Sequence, residues 1–155
     1  MIKRSISVWL AAGALGAMLA TPVQAQVRDA EYRGTLVCEK LPFAADPTRV
    51  AIAVNIVSNE GSYERPVFMS GRGKLAGTEK GTAKVDGDKI SLAGGWKGDK
   101  DSYEASYSGG FVRRSANLTG TQKWTHDGQS FTRNCTGSIK RPLAAFLPKS
   151  QKPPQ

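Results

Sequence analysis

Histidine and cysteine are scarce in this chain: its 155 residues include one histidine, His126, and two cysteines, Cys38 and Cys135. With so few nitrogen and sulfur ligands, and no Cys or His pair at ligand spacing, no metal site is predicted. Catalytic motifs are missing as well. There is no G-x-S-x-G elbow, no H-E-x-x-H and no phosphate loop of Walker type. His126 falls in a predicted turn with no evident nucleophile beside it. The carboxylate pairs Asp86/Asp88 and Asp99/Asp101 also fall in predicted turns, where aspartate is ordinary turn chemistry, and they lack the ligand series of a calcium loop. The balance leans away from an enzyme without settling the question, and no cofactor is implied.

Long apolar runs are equally few. The run from Val8 to Ala20 comes after Lys3 and Arg4 and before Val23-Gln24-Ala25, which offers small residues at the two positions a signal peptidase reads. It is short for the ~20 residues of a membrane span. Residues 1–25 therefore read as a signal peptide cleaved after Ala25, leaving no transmembrane span. Two cysteines in an exported chain usually pair, because the destination is oxidising, and the Gram-negative periplasm is the predicted address. Cleavage removes Lys3 and Arg4, so 22 basic residues become 20 against 13 acidic ones, a net charge of +7. Acids are interspersed with the bases, as suits a solvated, aggregation-resistant surface. Such a surface also favours an anionic envelope polymer as a partner. Nothing points to a specific nucleic acid.

No helix of ordinary length is convincing after residue 25, and period two dominates instead. Val50, Ile52, Val54 and Ile56 fall on one strand face, and Tyr103, Ala105 and Tyr107 alternate with Ser102, Glu104 and Ser106. Turn signals such as Asp86-Gly87-Asp88, Gly109-Gly110 and Asp127-Gly128 separate the runs. Eight strands are predicted, at 31–39, 50–58, 62–69, 77–85, 88–96, 101–108, 115–125 and 130–139, with 40–49 and 70–76 as loops. The fold class is all-β, an eight-stranded antiparallel up-and-down barrel over residues 26–141 closed by one disulfide. A two-sheet β-sandwich is the alternative. A Cys38–Cys135 bridge needs the first and last strands side by side, with Cα atoms within about 7 Å, which a closed barrel supplies. Residues 142–155 contain Pro142, Pro148, Pro153 and Pro154 and read as a largely disordered tail. Within it, Leu143 to Leu147 is a short apolar stretch suited to packing on the barrel.

Three positions on inward faces are polar: Arg65, Gln122 and Arg133. A charge inside a barrel must be paired or wet, and Glu79, in register with Ala83 and Val85, is the internal partner available for one arginine. The other arginine could then receive a ligand carboxylate or phosphate through its planar fork of donors, unless both lie near a mouth and reach solvent. Arg65, Arg133, Gln122, Tyr107 and Trp124 are the candidate ligand-binding residues.

Five segments carry a family resemblance: Y-R-G-T-L-V-C at 32–38, R-P-V at 65–67, S-G-R-G at 70–73, L-T-G-T-Q-x-W at 118–124 and F-T-R-N-C at 131–135. Together they resemble uncharacterised exported small β-barrel proteins of Gram-negative bacteria, over most of the chain after residue 25. That resemblance implies export and a barrel but brings no activity with it. The L-T-G-T segment also looks like avidin-type barrels, with a lipocalin-like architecture, although the rest of a biotin pocket has no counterpart. Periplasmic lysozyme inhibitors are likewise small bridged barrels, but a chain of this charge would be repelled by a basic lysozyme. Two functions are expected from these features: a non-catalytic module binding a small anionic ligand in or at the mouth of the barrel, or an envelope interaction protein acting through its basic outer surface. The sequence does not reveal an oligomeric state.

Overall fold

Alternation along the chain becomes alternation of burial. In the computed structural model, which describes residues 29–44, 46–69 and 74–142, eight strands form. They are β1 (Ala30–Cys38), β2 (Thr48–Val57), β3 (Glu60–Met69), β4 (Lys74–Asp86), β5 (Lys89–Lys97), β6 (Asp101–Val112), β7 (Ser115–His126) and β8 (Gln129–Lys140). In β2 the β-branched residues Val50, Ile52, Val54 and Ile56 point inward and are buried, while Arg49, Asn55 and Val57 are exposed. The same period-two pattern recurs around the sheet because one face packs on itself and the other meets water.

Each strand pairs antiparallel with its neighbours in sequence, and β8 returns to β1, so the sheet is a closed barrel. The sandwich alternative is thereby excluded. Cys38 lies directly opposite Cys135 in the β1–β8 ladder, with Cα atoms 4.0 Å apart, and the two are disulfide-bonded. The bridge therefore sits on the seam where the chain's first and last strands meet.

The connections divide the barrel into two ends. At one end, residues 58–59, 87–88 and 113–114 make two-residue turns, with Ser58, Asn59, Gly87 and Arg113 at positive φ. At the other end, the mouth, lie residues 39–44 and 98–100, together with the tight Asp127-Gly128 turn. Gly109 and Gly110 do not form the predicted turn. They continue β6, where a Cβ on Gly109 would lie 1.8 Å from the Asn117 carbonyl oxygen, so glycine serves close strand packing rather than chain reversal. Residues 74–76, predicted as part of a loop, extend β4 instead, held by the Phe68–Leu75 and Met69–Lys74 pairs. The predicted signal peptide, residues 70–73 and the tail from 143 onward lie outside the described residues.

One ladder is incomplete. β2 and β3 pair only from Ala53–Glu64 to Val57–Glu60, and beyond that their ladder stops, so 48–52 and 65–69 do not pair with each other. Pro66, which has no N–H to offer, lies in this unzipped stretch. The half of the core near the tight turns is apolar, built from Val54, Ile56, Val85, Ile90, Phe111 and Ile139. The polar interior residues lie toward the mouth.

Candidate functional site

Glu79 has no solvent exposure, so its carboxylate must find every partner inside the barrel. β4 places it directly opposite Arg65 on β3, and Arg65 Nε lies 3.3 Å from Glu79 Oε2. Three tyrosine hydroxyls donate to the same carboxylate: Tyr63 at 2.8 Å, Tyr103 at 2.6 Å and Tyr107 at 3.1 Å. Gln122 Nε2 donates to it at 3.2 Å. Arg65 Nε is close enough to pair electrostatically but makes no hydrogen bond, and Arg65 Nη1 points to Tyr107 Oη at 3.4 Å and Cys38 Sγ at 3.7 Å.

Space for this network comes from glycine. Gly81 and Gly94 face each other across β4 and β5, and Tyr63 lies over both. A Cβ would come within 2.4 Å of the Tyr63 ring at Gly81 and within 2.7 Å of its hydroxyl at Gly94.

Arg133 is the second buried cation, 4% exposed. Its Nε donates to Gln122 Oε1 at 2.8 Å, its Nη1 donates to the Glu39 backbone carbonyl at 3.3 Å, and its guanidinium carbon lies 5.1 Å from the Trp124 ring centroid. No carboxylate forms an ion pair with it among the described residues. Burial, and then the nearby charge of Arg65, push its pKa down to about 10. Gln122 joins the two charged centres and its orientation is forced. Arg133 and Trp124 Nε1 can only donate, so the amide oxygen faces them and the amide nitrogen faces Tyr107 and Glu79. Arg65, Arg133 and Glu79 are the buried charges among the described residues, two positive against one negative, and the barrel interior carries a net +1.

Aromatic rings surround Arg133 on the mouth side. Trp124 stacks on Tyr103 with centroids 4.3 Å apart, and Trp96 lies 6.2 Å from Trp124. Phe43, from the connection between β1 and β2, packs at 4.0 Å on His126, at 5.3 Å on Phe131 and at 6.0 Å on Trp124. Beside them is a groove of about 590 Å³ lined by Trp96, Tyr103, Trp124 and Phe131 together with outward residues of β5 to β8. A separate depression of about 290 Å³ lies over the unzipped β2–β3 stretch, against Ala51, Ile52, Arg65, Pro66 and Leu75.

The residues singled out in the sequence, Arg65, Glu79, Tyr107, Gln122, Trp124 and Arg133, thus meet in one network. Tyr63, Tyr103 and Phe43 belong to it too. The two tyrosines were readable as inward-facing by alternation, but nothing in their spacing shows that their hydroxyls converge on Glu79. Phe43 lies between Pro42 and Pro47 in a segment without periodicity and gave no signal. His126 is corrected: it ends β7, opposite Asp101, and is not in the turn. Its Nδ1 lies 2.5 Å from Asp101 Oδ1, and no serine, threonine or cysteine side chain hydrogen-bonds it among the described residues. No group of three or more His, Cys, Asp or Glu among the described residues could hold a metal ion.

Burial and then the Glu79 charge raise the Tyr63, Tyr103 and Tyr107 hydroxyls far above their ordinary pKa. Stability is therefore full below the unfolded tyrosine value of ~10 and falls as pH rises beyond it, because only the unfolded chain releases these protons. The slope approaches about 4 kcal/mol per pH unit for three groups. Arg133 acts in the opposite sense with one proton, since its folded pKa is depressed, and the tyrosines prevail. Urea midpoints measured from pH 9 to 11 are expected to drop steeply above about pH 10, and a flat profile would show that the hydroxyls are not held in this network.

Compared with protein-family models and with curated proteins, the chain matches none.

Proposed function

We propose that the protein is an exported, non-catalytic binding module that takes a small anion at the mouth of its barrel, on Arg133. The unbalanced interior charge carries this reading. An isolated buried cation is costly, and among the described residues the hydrogen bonds of Arg133 go to neutral acceptors, the Gln122 amide and the Glu39 carbonyl. A carboxylate or phosphate would make stronger, charge-assisted bonds to its planar fork. Gln122 and the Trp124 ring hold that fork in place, so little side-chain freedom remains to be lost on binding. Arg65 is committed to Glu79 and acts as support. Export follows from the residues at 1–25 and fits a chain that keeps a disulfide.

The outer wall lends less support to a polymer-binding role. Lys80 stands opposite Glu64, Lys84 opposite Glu60, Lys89 opposite Asp86 and Lys123 opposite Glu104. Along these ladders charges of both signs face each other.

The test is thermal unfolding of wild type and Arg133→Gln against a panel of small carboxylates, phosphates and sulfates. At least one of these is expected to raise the wild-type midpoint without raising that of the variant. Equal shifts in both proteins, or none in either, would overturn the reading.

A further inference from the structure

We infer that the ligand is a carboxylate bearing an aromatic ring, and that the Glu39 carbonyl and the Phe43 ring stand at its two subsites. This rests on the reading of Arg133 as an anion site and adds to it the chemistry of the rest of the ligand.

The stretch after β1 touches both halves of the site. The Glu39 carbonyl oxygen sits on Arg133 Nη1, where an anion would bind, and the Phe43 ring fills the aromatic collar of Trp124, His126 and Phe131. One short segment therefore presents an oxygen acceptor and a phenyl ring to a guanidinium and an aromatic cluster. The acceptor is the weaker mimic. Its bond is 3.3 Å long, against the usual ~2.9 Å, and a neutral carbonyl binds a guanidinium less strongly than a carboxylate does.

The segment is also built to release the site. Glu39 is anchored on Asn134 by bonds that do not involve Arg133: its N–H donates to the Asn134 carbonyl at 2.9 Å, and its carboxylate accepts from Asn134 at 3.0 and 3.1 Å. Leu41 is buried, and Ala44 N–H closes a turn onto the Leu41 carbonyl at 3.0 Å, leaving half-buried Phe43 at its tip. Phe43 can swing out by rotation of its side chain, and the peptide after Glu39 can turn its carbonyl off Arg133, while the Glu39 N–H and carboxylate keep their bonds to Asn134 and Leu41 stays buried. An incoming ring then takes the place of one already there, so the collar remains packed in both states.

The experiment is isothermal titration of the disulfide-bonded mature protein and its Phe43→Ala and Arg133→Gln variants with 3-phenylpropionate, propionate and inorganic phosphate. Wild type is expected to prefer 3-phenylpropionate. Phe43→Ala should tighten that ligand about tenfold, the equivalent of one buried aromatic contact no longer competing. Its affinity for propionate and phosphate should stay unchanged, and Arg133→Gln should lose all three. Phe43→Ala removes a half-buried ring outside the strand ladders, so the barrel is expected to persist with some loss of stability, which the circular dichroism spectrum and melting midpoint of the variant check. If propionate or phosphate binds as tightly as 3-phenylpropionate, or if Phe43→Ala weakens binding or leaves it unaltered, the displacement idea is overturned while the anion site stands. If none of the three binds wild type or Phe43→Ala at millimolar concentration, both fall.

Discussion

Glu79→Gln is expected to lower the free energy of unfolding by about 3–5 kcal/mol, because removing one member of a buried ion pair strands the other charge. Arg65, 2% exposed, would be that stranded charge. The hydrogen bonds are disturbed as well. Tyr63 donates to one carboxylate oxygen, and Tyr103 and Gln122 donate to the other, so the NH2 of an amide either meets the Gln122 donor or requires the Tyr63 hydroxyl to turn from donor to acceptor. Against a typical total of ~5–15 kcal/mol the loss is large. Urea unfolding followed by tryptophan fluorescence measures it, and a loss below about 1 kcal/mol, the size of one ordinary hydrogen bond, would show that Glu79 does not organise the interior. Combining Glu79→Gln with Arg65→Met should cost less than the sum of the two, since the second change removes the stranded cation.

Replacing both Cys38 and Cys135 with alanine is expected to cost up to about 4–5 kcal/mol, the chain-entropy value for a loop of this size. The two residues are 97 apart in sequence yet adjacent across the β1–β8 ladder. Most of the effect acts on the unfolded chain, which gains the freedom that the bridge denied it. The native circular dichroism spectrum should therefore hardly change while the denaturant midpoint falls. A variant as stable as the oxidised wild type would mean that the ladder alone secures the seam. Glu79→Gln disturbs the folded interior whereas the alanine pair disturbs the unfolded ensemble, so the two should differ in their native spectra even at similar loss of stability.

Strand content and closure were legible because both follow from alternation. Inward β-branched and aromatic residues mark each strand face, an even strand count lets the ends meet, and the two cysteines specify which strands do so. The polar interior was half legible. Arg65, Glu79, Gln122 and Arg133 stand out because a charged or amide side chain on an inward face breaks the pattern. Their partners do not stand out, since a tyrosine on that face is ordinary core, and the point where its hydroxyl ends depends on barrel diameter and on the space left at Gly81 and Gly94. A boundary failed where glycine was read only as a turn residue, at Gly109-Gly110; the loop at Phe43 was placed correctly, but without periodicity nothing marked its ring as part of the aromatic collar.

The incomplete β2–β3 ladder has its own consequence. It contains five residue pairs, whereas the β6–β7 and β7–β8 ladders contain twelve each, so the wall is unevenly fastened. Local opening begins where the fewest ladder bonds must break. Breathing of this barrel is therefore expected to be directional, with β2 and β3 parting beside Arg65 before the opposite wall does, and backbone amides at 48–52 should exchange with solvent faster than those of β6 to β8.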